Sequence, residues 1–500
     1  MLQTEGQVAN SSTSETKSGH SSKWLILLAV MLGSIMGPLD GSIVNTVQPR
    51  ITQYFNTDIA TVEWVPIIYL ITISCLVLLY GRLGDMFGYR RIYLFGLGAF
   101  TVTSMLCGFS QSIWMLIVFR ALQGLAAGMM MSVGYAIITA AFPPKERGKA
   151  MGIYAISIAV GLSLGPVLGG VIAQYYSWRY VFFINLPIGI AALLWGSRIL
   201  PTGSTKKEQH LDWLGALTAL VFLLSLILYT NKGEDWGWLS PLSASFLTLG
   251  IVFGTLFFWV ELTSKQPMLN LTLFRNRVFG FGNLSALFSF MSIYGVIFLT
   301  PFYLTFILHK DPLHMGLIMA SAPIATLFVA PLSGVFSDRV GARGLAFCGM
   351  AVCATALFLL SSLKASSDTT DVVWRLAIFG VGTGLFQSPN NSTVMGSVPG
   401  YHRGIASGTL TAMRNVGMAL GIAISGAILY NVAPVAASVH HGSLDGTDWQ
   451  QFLSGLSWAY IGGAILAIAS ALASLIAAGQ RQEAAPEGVP HQTTVAPIIH

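Results

Sequence analysis

The sequence alternates between long apolar runs and short polar segments along almost its whole length. A helix needs roughly 20 apolar residues to cross the hydrocarbon core of a bilayer, and each run reaches about that length. Only 9% of the residues are charged, against about 25% in soluble proteins, so lipid must be the main solvent. The pattern predicts an all-α integral membrane protein with fourteen spans, at residues 24–47, 62–82, 91–110, 113–141, 149–174, 180–200, 212–231, 242–262, 279–307, 313–336, 344–363, 374–395, 404–432 and 454–478.

The two ends of the chain lack such runs. Residues 1–22 and 480–500 are rich in Ser, Thr, Gln, Glu and Pro, and we expect disordered tails because such segments bury little apolar surface. An even number of spans puts both tails on one side of the membrane. If that side is the cytoplasm, most of the 26 Lys and Arg residues fall on cytoplasmic segments, as the positive-inside rule requires.

The sequence contains no pattern typical of a metal, nucleotide or cofactor site. The four cysteines lie inside apolar runs and lack metal-site spacing. Gly148 and Lys149 are followed by Ala150, so the phosphate-binding P-loop motif is incomplete. We therefore expect neither an enzyme nor an ATP-driven pump. The net charge of +6 reflects membrane topology rather than a nucleic-acid partner.

Two charged loops share the spacing G-x-x-x-D-x-x-G-x-R and predict an internal repeat. The residues offset by 253 positions are Gly81, Asp85, Gly88 and Arg90 in the first loop, and Gly334, Asp338, Gly341 and Arg343 in the second. A second pair of loops, RGKAMG (147–152) and RGIASG (403–408), is offset by 256, as are Gly161 and Gly165 from Gly417 and Gly421. Spans 1–6 therefore correspond to spans 9–14, with spans 7 and 8 inserted between the halves.

Because the matched loops lie on one side of the membrane, the two halves are parallel repeats. Parallel six-helix repeats bind their substrate between the halves, near the middle of the bilayer. The predicted regions are a cytoplasmic N-terminal tail (1–22), an N-terminal six-helix bundle (23–200), an inserted helix pair with its cytoplasmic linker (201–278), a C-terminal six-helix bundle (279–479) and a cytoplasmic C-terminal tail (480–500).

Several motifs resemble those of the major facilitator superfamily, and more narrowly its 14-span drug:proton antiporters of the EmrB/QacA type. They are GRLGDMFGYRR (81–91) in the loop between spans 2 and 3, PLDGSIVNTVQP (38–49) in span 1, EWVPIIYLIT (63–72) at the start of span 2, RALQGLAAG (120–128) in span 4, the antiporter-type GLSLGPVLGG (161–170) in span 5, and LDWLGALT (211–218) at the extra pair. The resemblance covers residues 24–478. It implies proton-coupled multidrug efflux by alternating access. The compact loops favour the plasma (inner) membrane of a bacterium.

Asp40 lies well inside the first span and Arg120 inside the fourth. A carboxylate at mid-span costs about 2.5–3.5 kcal/mol on insertion scales, so Asp40 is a functional candidate. At 1.5 Å per residue both side chains lie roughly 10 Å below the outer surface, which permits an ion pair. Asp40 either couples transport to protons, senses substrate charge, or is a structural acceptor bonded to Ser42, Asn45 or a neighbouring helix.

Other polar and aromatic residues are weaker candidates. Asn45 and Gln123 could line a cavity, and Arg414 in span 13 either contacts an anionic group or pairs within its own half. The aromatic residues of span 9 could also line a cavity, although lipid-facing positions are commoner: Phe288, Phe290, Tyr294, Phe298, Phe302, Tyr303 and Phe306. Three acids near span ends are expected to be solvated or capping: Glu63, Asp212 and Glu261.

The charged loops and the glycine-rich span 5 suggest conformational roles. The resemblance implies that the first loop latches the cytoplasmic side shut, with a related role for the second; simple topology signals are the alternative. Gly88 allows a tight turn with positive φ. The residues concerned are Gly81, Asp85, Gly88, Arg90, Arg91, Asp338 and Arg343. In span 5, Gly161, Gly165, Gly169 and Gly170 allow close helix packing and Pro166 bends the span, so this helix could seal one end of a cavity.

The leading functional hypothesis is proton-coupled export of hydrophobic or amphipathic small molecules. With Asp40 as the one clear mid-membrane acid, neutral, zwitterionic or monocationic amphiphiles are favoured over dications. A dedicated exporter of one natural product or metabolite is the alternative, and a receptor that has lost transport is a more distant one. Expected partners are drug-like molecules, protons and membrane lipids, and a periplasmic adaptor is a further candidate because some relatives use one.

Overall fold

The computed structural model describes residues 12–201, 212–264, 269, 271–398, 403–434 and 448–477. Every regular element in these ranges is a helix, as a lipid environment demands of a chain that must satisfy its backbone groups internally. The first half contains α1 (Ser12–Ser34), α2 (Met36–Phe55), α3 (Ile59–Val62), α4 (Trp64–Phe87), α5 (Tyr89–Gly108), α6 (Ile113–Ala141), α7 (Pro144–Tyr175), α8 (Tyr180–Phe183) and α9 (Asn185–Ile199). Helix α1 begins inside the predicted N-terminal tail.

The remaining helices form the inserted pair and the second half. The inserted pair is α10 (Trp213–Trp236) and α11 (Pro241–Thr263). The second half contains α12 (Arg277–Phe302), α13 (Pro312–Met319), α14 (Ser321–Val340), α15 (Ala342–Ser361), α16 (Thr369–Gly396), α17 (Arg403–Val432) and α18 (Asp448–Ile476). A short 3-10 helix (Leu271–Arg275) precedes α12 and a π-helical turn (Tyr303–Ile307) extends it.

Twelve segments of the described chain are long and apolar enough to cross a membrane, so the predicted count of fourteen is not confirmed. The two predicted spans that fall short coincide with α7 and α16. Helix α7 has 32 residues and opens with the charged stretch PKERGK; among its described residues, Val160–Tyr175 form an uninterrupted apolar segment. Helix α16 has 28 residues and carries the polar stretch SPNNST near its end.

Equivalent helices of the two halves pack in the same way, which confirms the internal repeat. Helix α2 packs on α7 as α12 packs on α17, and α4 packs on α6 as α14 packs on α16. Likewise α5 contacts α9, and α15 contacts α18. The matched glycines share a backbone conformation, with φ of 93° at Gly88 and 97° at Gly341. This conformation favours glycine and confirms the positive φ predicted for Gly88.

The two halves meet along two symmetric helix pairs. Helix α4 contacts α17, and α7 contacts α13. At the α7–α13 crossing a Cβ added to Gly170 would overlap the Pro312 carbonyl oxygen, and one added to Gly316 would overlap the Pro166 carbonyl oxygen. Chain direction puts this crossing at the end of the bundle opposite the Gly88 and Gly341 turns. We call the inter-half contacts at that end the seam.

Helix α12 is enclosed by the rest of the bundle rather than facing lipid. Phe298, Phe302 and Tyr303 have no exposed surface, and Phe290 and Tyr294 are 8% and 7% exposed. The lipid-facing location favoured for the span 9 aromatics is therefore wrong. The repeat explains the difference, because α12 takes the same interior position in its half that α2 takes in the first. The inserted α10 instead packs beside the seam, against α4 and α17.

Candidate functional site

Asp40 lies at the centre of a buried polar cluster in the first half. Its side chain forms an ion pair with Arg120, through Oδ2 and Nη1. Gln123 Nε2 donates a 3.1 Å hydrogen bond to Asp40 Oδ1. Asp40 is 1% exposed, and Arg120 and Gln123 have no exposed surface. The structure therefore brings together, from α2 and α6, three of the residues that the sequence marked as candidates.

Asn185 is a fourth member of this cluster that sequence reasoning missed. As the first residue of α9, it donates from Nδ2 to Asp40 Oδ1 at 3.0 Å and to Ser104 Oγ at 3.0 Å. Ser104 in turn donates to the carbonyl of Phe182 at 2.9 Å. The available signal was an amide residue inside the apolar stretch FFINLPIGI. The carboxylate is thus held by one cation and two neutral amides.

Arg120 is fixed by contacts that do not involve Asp40. Its Nε donates to the Val65 carbonyl at 3.2 Å, and its Nη1 also donates to Gln123 Oε1 at 2.7 Å. Its guanidinium lies 4.1 Å from the ring centroid of Tyr69, which is a favourable cation–π distance. Among the described residues, Arg120 Nη2 has no hydrogen-bonding partner. The guanidinium can therefore keep its place when the charge on Asp40 changes.

The net charge of the cluster depends on Asp40. A buried ion pair is stable only while both charges are present, because desolvation of either charge alone is costly. Arginine stays protonated, whereas a carboxylate can accept a proton and lose its charge. Protonation of Asp40 would therefore change the cluster from neutral to singly positive in a dry environment.

Asn45 and Arg414 lie apart from the Asp40 cluster. Asn45 donates to the Gly41 carbonyl at 2.8 Å and accepts from Gln48 Nε2 at 2.8 Å, so it forms a polar pair on α2. Arg414 donates to Asn391 Oδ1 on α16 and lies 5.4 Å from the ring centroid of Phe290. These two contacts of Arg414 lie within the second half, while its charge also acts on Tyr135 of α6 in the first half.

The glycines of α7 divide between two partners. Gly161, Gly165 and Gly169 face α2 of the same half, where Cβ atoms would meet Ile35, Ser42 and Ile43 respectively. Pro166 and Gly170 instead contact α13 of the second half. The predicted close packing of the first three glycines is therefore within their own half, and Gly170 packs against the opposite half.

The loop residues offered as a latch have mixed outcomes. Arg90 donates to the carbonyl of Ser197 and so ties the start of α5 to the end of α9. Arg91 and Arg343 are exposed. The side chains of Asp85 and Asp338, and the surroundings of Gly81, lie outside what the structure describes.

Acids near the span ends differ in their surroundings. Asp212 caps α10 by accepting from the Gly215 N–H at 2.8 Å, as predicted. Glu261 is 3% exposed and accepts from the Leu269 N–H at 2.9 Å. Glu63 has no exposed surface, so the expectation that it is solvated or capping is wrong. No group of three or more potential metal-ligating side chains occurs among the described residues.

Two parallel helical repeats, a bundle of apolar helices and a buried charge cluster between helices define a membrane transporter rather than an enzyme. The chain belongs to the Major Facilitator Superfamily, whose family description matches residues 30–422 and 282–498. It is therefore a multi-pass integral membrane protein, and in bacteria such transporters lie in the inner membrane.

Relatives with assigned roles are transporters or resistance proteins. The riboflavin transporter RibZ of Clostridioides difficile is 33% identical over 403 residues, covering 80% of this chain and 87% of RibZ. Multidrug resistance protein 3 of Bacillus subtilis is 29% identical over 421 residues, covering 83% of this chain and 81% of that protein. Among solved structures, an inward-facing bacterial homologue of the human lysosomal transporter Spinster superimposes with a TM-score of 0.65 at 15% identity, over 91% of this chain and 97% of that one. At that identity the match supports the fold alone.

Proposed function

We propose that the protein exports hydrophobic or amphipathic small molecules in exchange for protons, with Asp40 as the coupling residue. The observation that carries this proposal is the ion pair of Asp40 with Arg120, where both side chains are almost completely buried and two amides complete the carboxylate's contacts. The similarity to Multidrug resistance protein 3 supports drugs as the substrate class.

Coupling follows from the charge of the cluster. With Asp40 ionised the cluster is neutral and tolerates a monocationic amphiphile nearby. When Asp40 binds a proton, the unbalanced charge of Arg120 repels such a substrate and favours its release. For a neutral substrate, one proton moving inward down 100 mV supplies about 2.3 kcal/mol, enough for a gradient of about 50-fold. Exchange of one proton for one monocation moves no net charge, so the pH gradient alone drives it.

For topology we propose fourteen spans in the EmrB/QacA arrangement, with both tails in the cytoplasm. The lengths of α7 and α16 support the two additional spans, because helices of 32 and 28 residues are long enough to cross the bilayer. The excess of Lys and Arg on the tail side supports the orientation. The seam is then at the outer end of the bundle and the Gly88 and Gly341 turns are at the cytoplasmic end.

The conformational roles suggested by the resemblance remain part of the proposal. Gly81, Asp85, Gly88, Arg90, Arg91, Asp338 and Arg343 would latch the cytoplasmic end when the cavity faces outward. On α7, Pro166 and Gly170 would close the outer end against α13, while Gly161, Gly165 and Gly169 keep α7 seated on α2. Asn45, Gln123 and Arg414 would line or support the path of the substrate, and lipids and a periplasmic adaptor are proposed further partners.

Substrate-induced proton release tests the proposal. Amphipathic drugs are added to weakly buffered samples of purified wild type, Asp40→Asn and the control Asp58→Asn, which alters an acid outside the cluster. We expect release from the wild type and Asp58→Asn but not from Asp40→Asn. Equal release from all three would assign coupling to another acid.

A dedicated exporter of one metabolite is the second candidate, and the 33% identity to the riboflavin transporter RibZ supports a single metabolite as its substrate. The two candidates differ in breadth of substrates. Binding of riboflavin and of a panel of unrelated amphiphiles to the purified wild type would separate them. Binding of several unrelated compounds supports multidrug efflux, and binding of one class alone supports the dedicated exporter.

A further inference from the structure

Glu63 is a second buried acid, and it lies in the seam between the halves. It sits between α3 and α4 and has no exposed surface. Its Oε2 accepts a 2.9 Å hydrogen bond from the hydroxyl of Tyr430 on α17. Among the described residues its Oε1 has no hydrogen-bonding partner. One carboxyl group of the first half is therefore enclosed by a helix of the second half.

The second half provides a fitted place for this carboxyl group. A Cβ added to Gly426, one turn before Tyr430, would overlap Glu63 Oε2. Glycine at this position therefore leaves the space that the carboxyl occupies. The contact is built from both sides of the seam, and it cannot persist when the two halves separate at this end.

Few charged groups act on Glu63. From α17 its neighbour is the Tyr430 hydroxyl, from α10 it is attracted by Lys232, and from the α3 side it is repelled by Asp58. Asp58 itself caps α3 by accepting from the Thr61 N–H at 2.6 Å. Among the residues that the structure describes, the enclosed carboxyl has the Tyr430 hydroxyl as its donor and Lys232 as the cation that attracts it.

Enclosure and exposure favour different protonation states of this group. A buried carboxylate that lacks full hydrogen bonding and a close counter-ion is costly, whereas a neutral carboxyl can still accept the Tyr430 hydrogen bond. Separation of the halves would expose Glu63 to water, where the ionised form is favoured. Proton binding is therefore linked to closure of the seam.

We propose that Glu63 is a second proton-binding site, distinct from Asp40, which binds a proton when the seam closes and loses it when the seam opens. The proposal rests on the proposed function for the outer location of the seam. With the seam at the outer end, a low external pH would protonate Glu63 and close the seam, which favours the return to the inward-facing state. Its central claim, that protonation of Glu63 closes the seam, can be measured without transport.

Distances across the seam test this claim. Gln111 and Ser366 are exposed, lie at the seam end and belong to different halves. Spin labels are attached there after replacement of Cys348, since the other three cysteines are buried. Double electron–electron resonance then measures the closed and open fractions between about pH 5 and pH 9. This range covers the pKa of an ordinary carboxyl group and the higher pKa values that buried carboxyl groups reach.

We expect the closed-to-open ratio of the wild type to fall by up to about tenfold per pH unit as the pH rises, as one linked proton requires. Glu63→Gln keeps a neutral carbonyl acceptor for Tyr430, so it should stay closed at all pH values. The comparison variant Asp58→Asn keeps the cap of α3, because asparagine also caps helices. It removes the charge that repels Glu63, so closure should still depend on pH, with a midpoint at lower pH than in the wild type.

Two outcomes would overturn the proposal. They are a wild-type distance distribution that does not respond to pH, and a Glu63→Gln variant with the wild-type pH dependence. Asp40→Asn separates this proposal from the proposed function. If Asp40→Asn loses proton release while its seam still closes at low pH, coupling by Asp40 and proton binding by Glu63 both hold. If Asp40→Asn still releases protons while the pH response of the seam is lost in Glu63→Gln, only coupling by Asp40 fails.

Discussion

Removal of Arg120 should destabilise the protein mainly through the charge that it leaves on Asp40. In Arg120→Met the volume is largely kept, but the carboxylate retains only the amides of Gln123 and Asn185. Loss of one partner of a buried ion pair costs about 3–5 kcal/mol. The double variant Arg120→Met/Asp40→Asn removes both charges, so it should be more stable than the single variant.

The assay is thermal unfolding of the purified variants in detergent, compared at a fixed heating rate because unfolding of such proteins is commonly irreversible. Arg91→Met, which alters an exposed arginine, is the matched control. We expect a large loss of apparent Tm for Arg120→Met, a small one for the control, and partial recovery for the double variant.

Acidification provides a second check of the same reasoning. Protonation of Asp40 removes the lone buried charge, so lowering the pH should narrow the difference in apparent Tm between Arg120→Met and the wild type. A double variant that is less stable than Arg120→Met, together with a pH-independent difference, would refute the charge argument. Lost packing against Tyr69 would then be the dominant effect.

Two further predictions follow from the site and the seam. Asn185→Leu removes a hydrogen bond to the Asp40 carboxylate, which should cost about 1.5–3 kcal/mol. We expect a lower apparent Tm than that of the wild type in the same thermal unfolding assay. Gly316→Ala puts a Cβ against the Pro166 carbonyl, so spin-label distances should shift toward an open seam and transport should fall, whereas the control Gly344→Ala, with nothing within 4 Å of its Cβ, should behave as wild type. Unchanged seam distances in Gly316→Ala would contradict the close-packing account.

Local sequence patterns predicted much of the fold. Apolar length predicted membrane helices, and the shared loop spacing predicted two parallel halves and the positive φ of Gly88. Depth along two helices permitted the pair of Asp40 and Arg120, which the structure contains. These features depend on the chain's own periodicity, its steric limits and its solvent, so they can be read without knowledge of distant neighbours.

Hydropathy was a less reliable guide to whether a helix contacts lipid or other helices where that helix lines the interior of the bundle. Helix α16 carries polar residues that lower its apolar character, and α12 carries aromatics that suggested a lipid-facing surface. A membrane interior and a protein interior select similar side chains, so composition alone does not say which of the two a helix contacts.

The sequence by itself determined the membrane environment, the helical class, the internal repeat and the charged residues that must be buried somewhere. Only the tertiary structure decided their partners. Asn185 reaches Asp40 across 145 positions, and Tyr430 reaches Glu63 across 367. Such contacts arise because helices far apart in the chain pack side by side, and a residue near the end of a span becomes buried when a helix of the other half covers it.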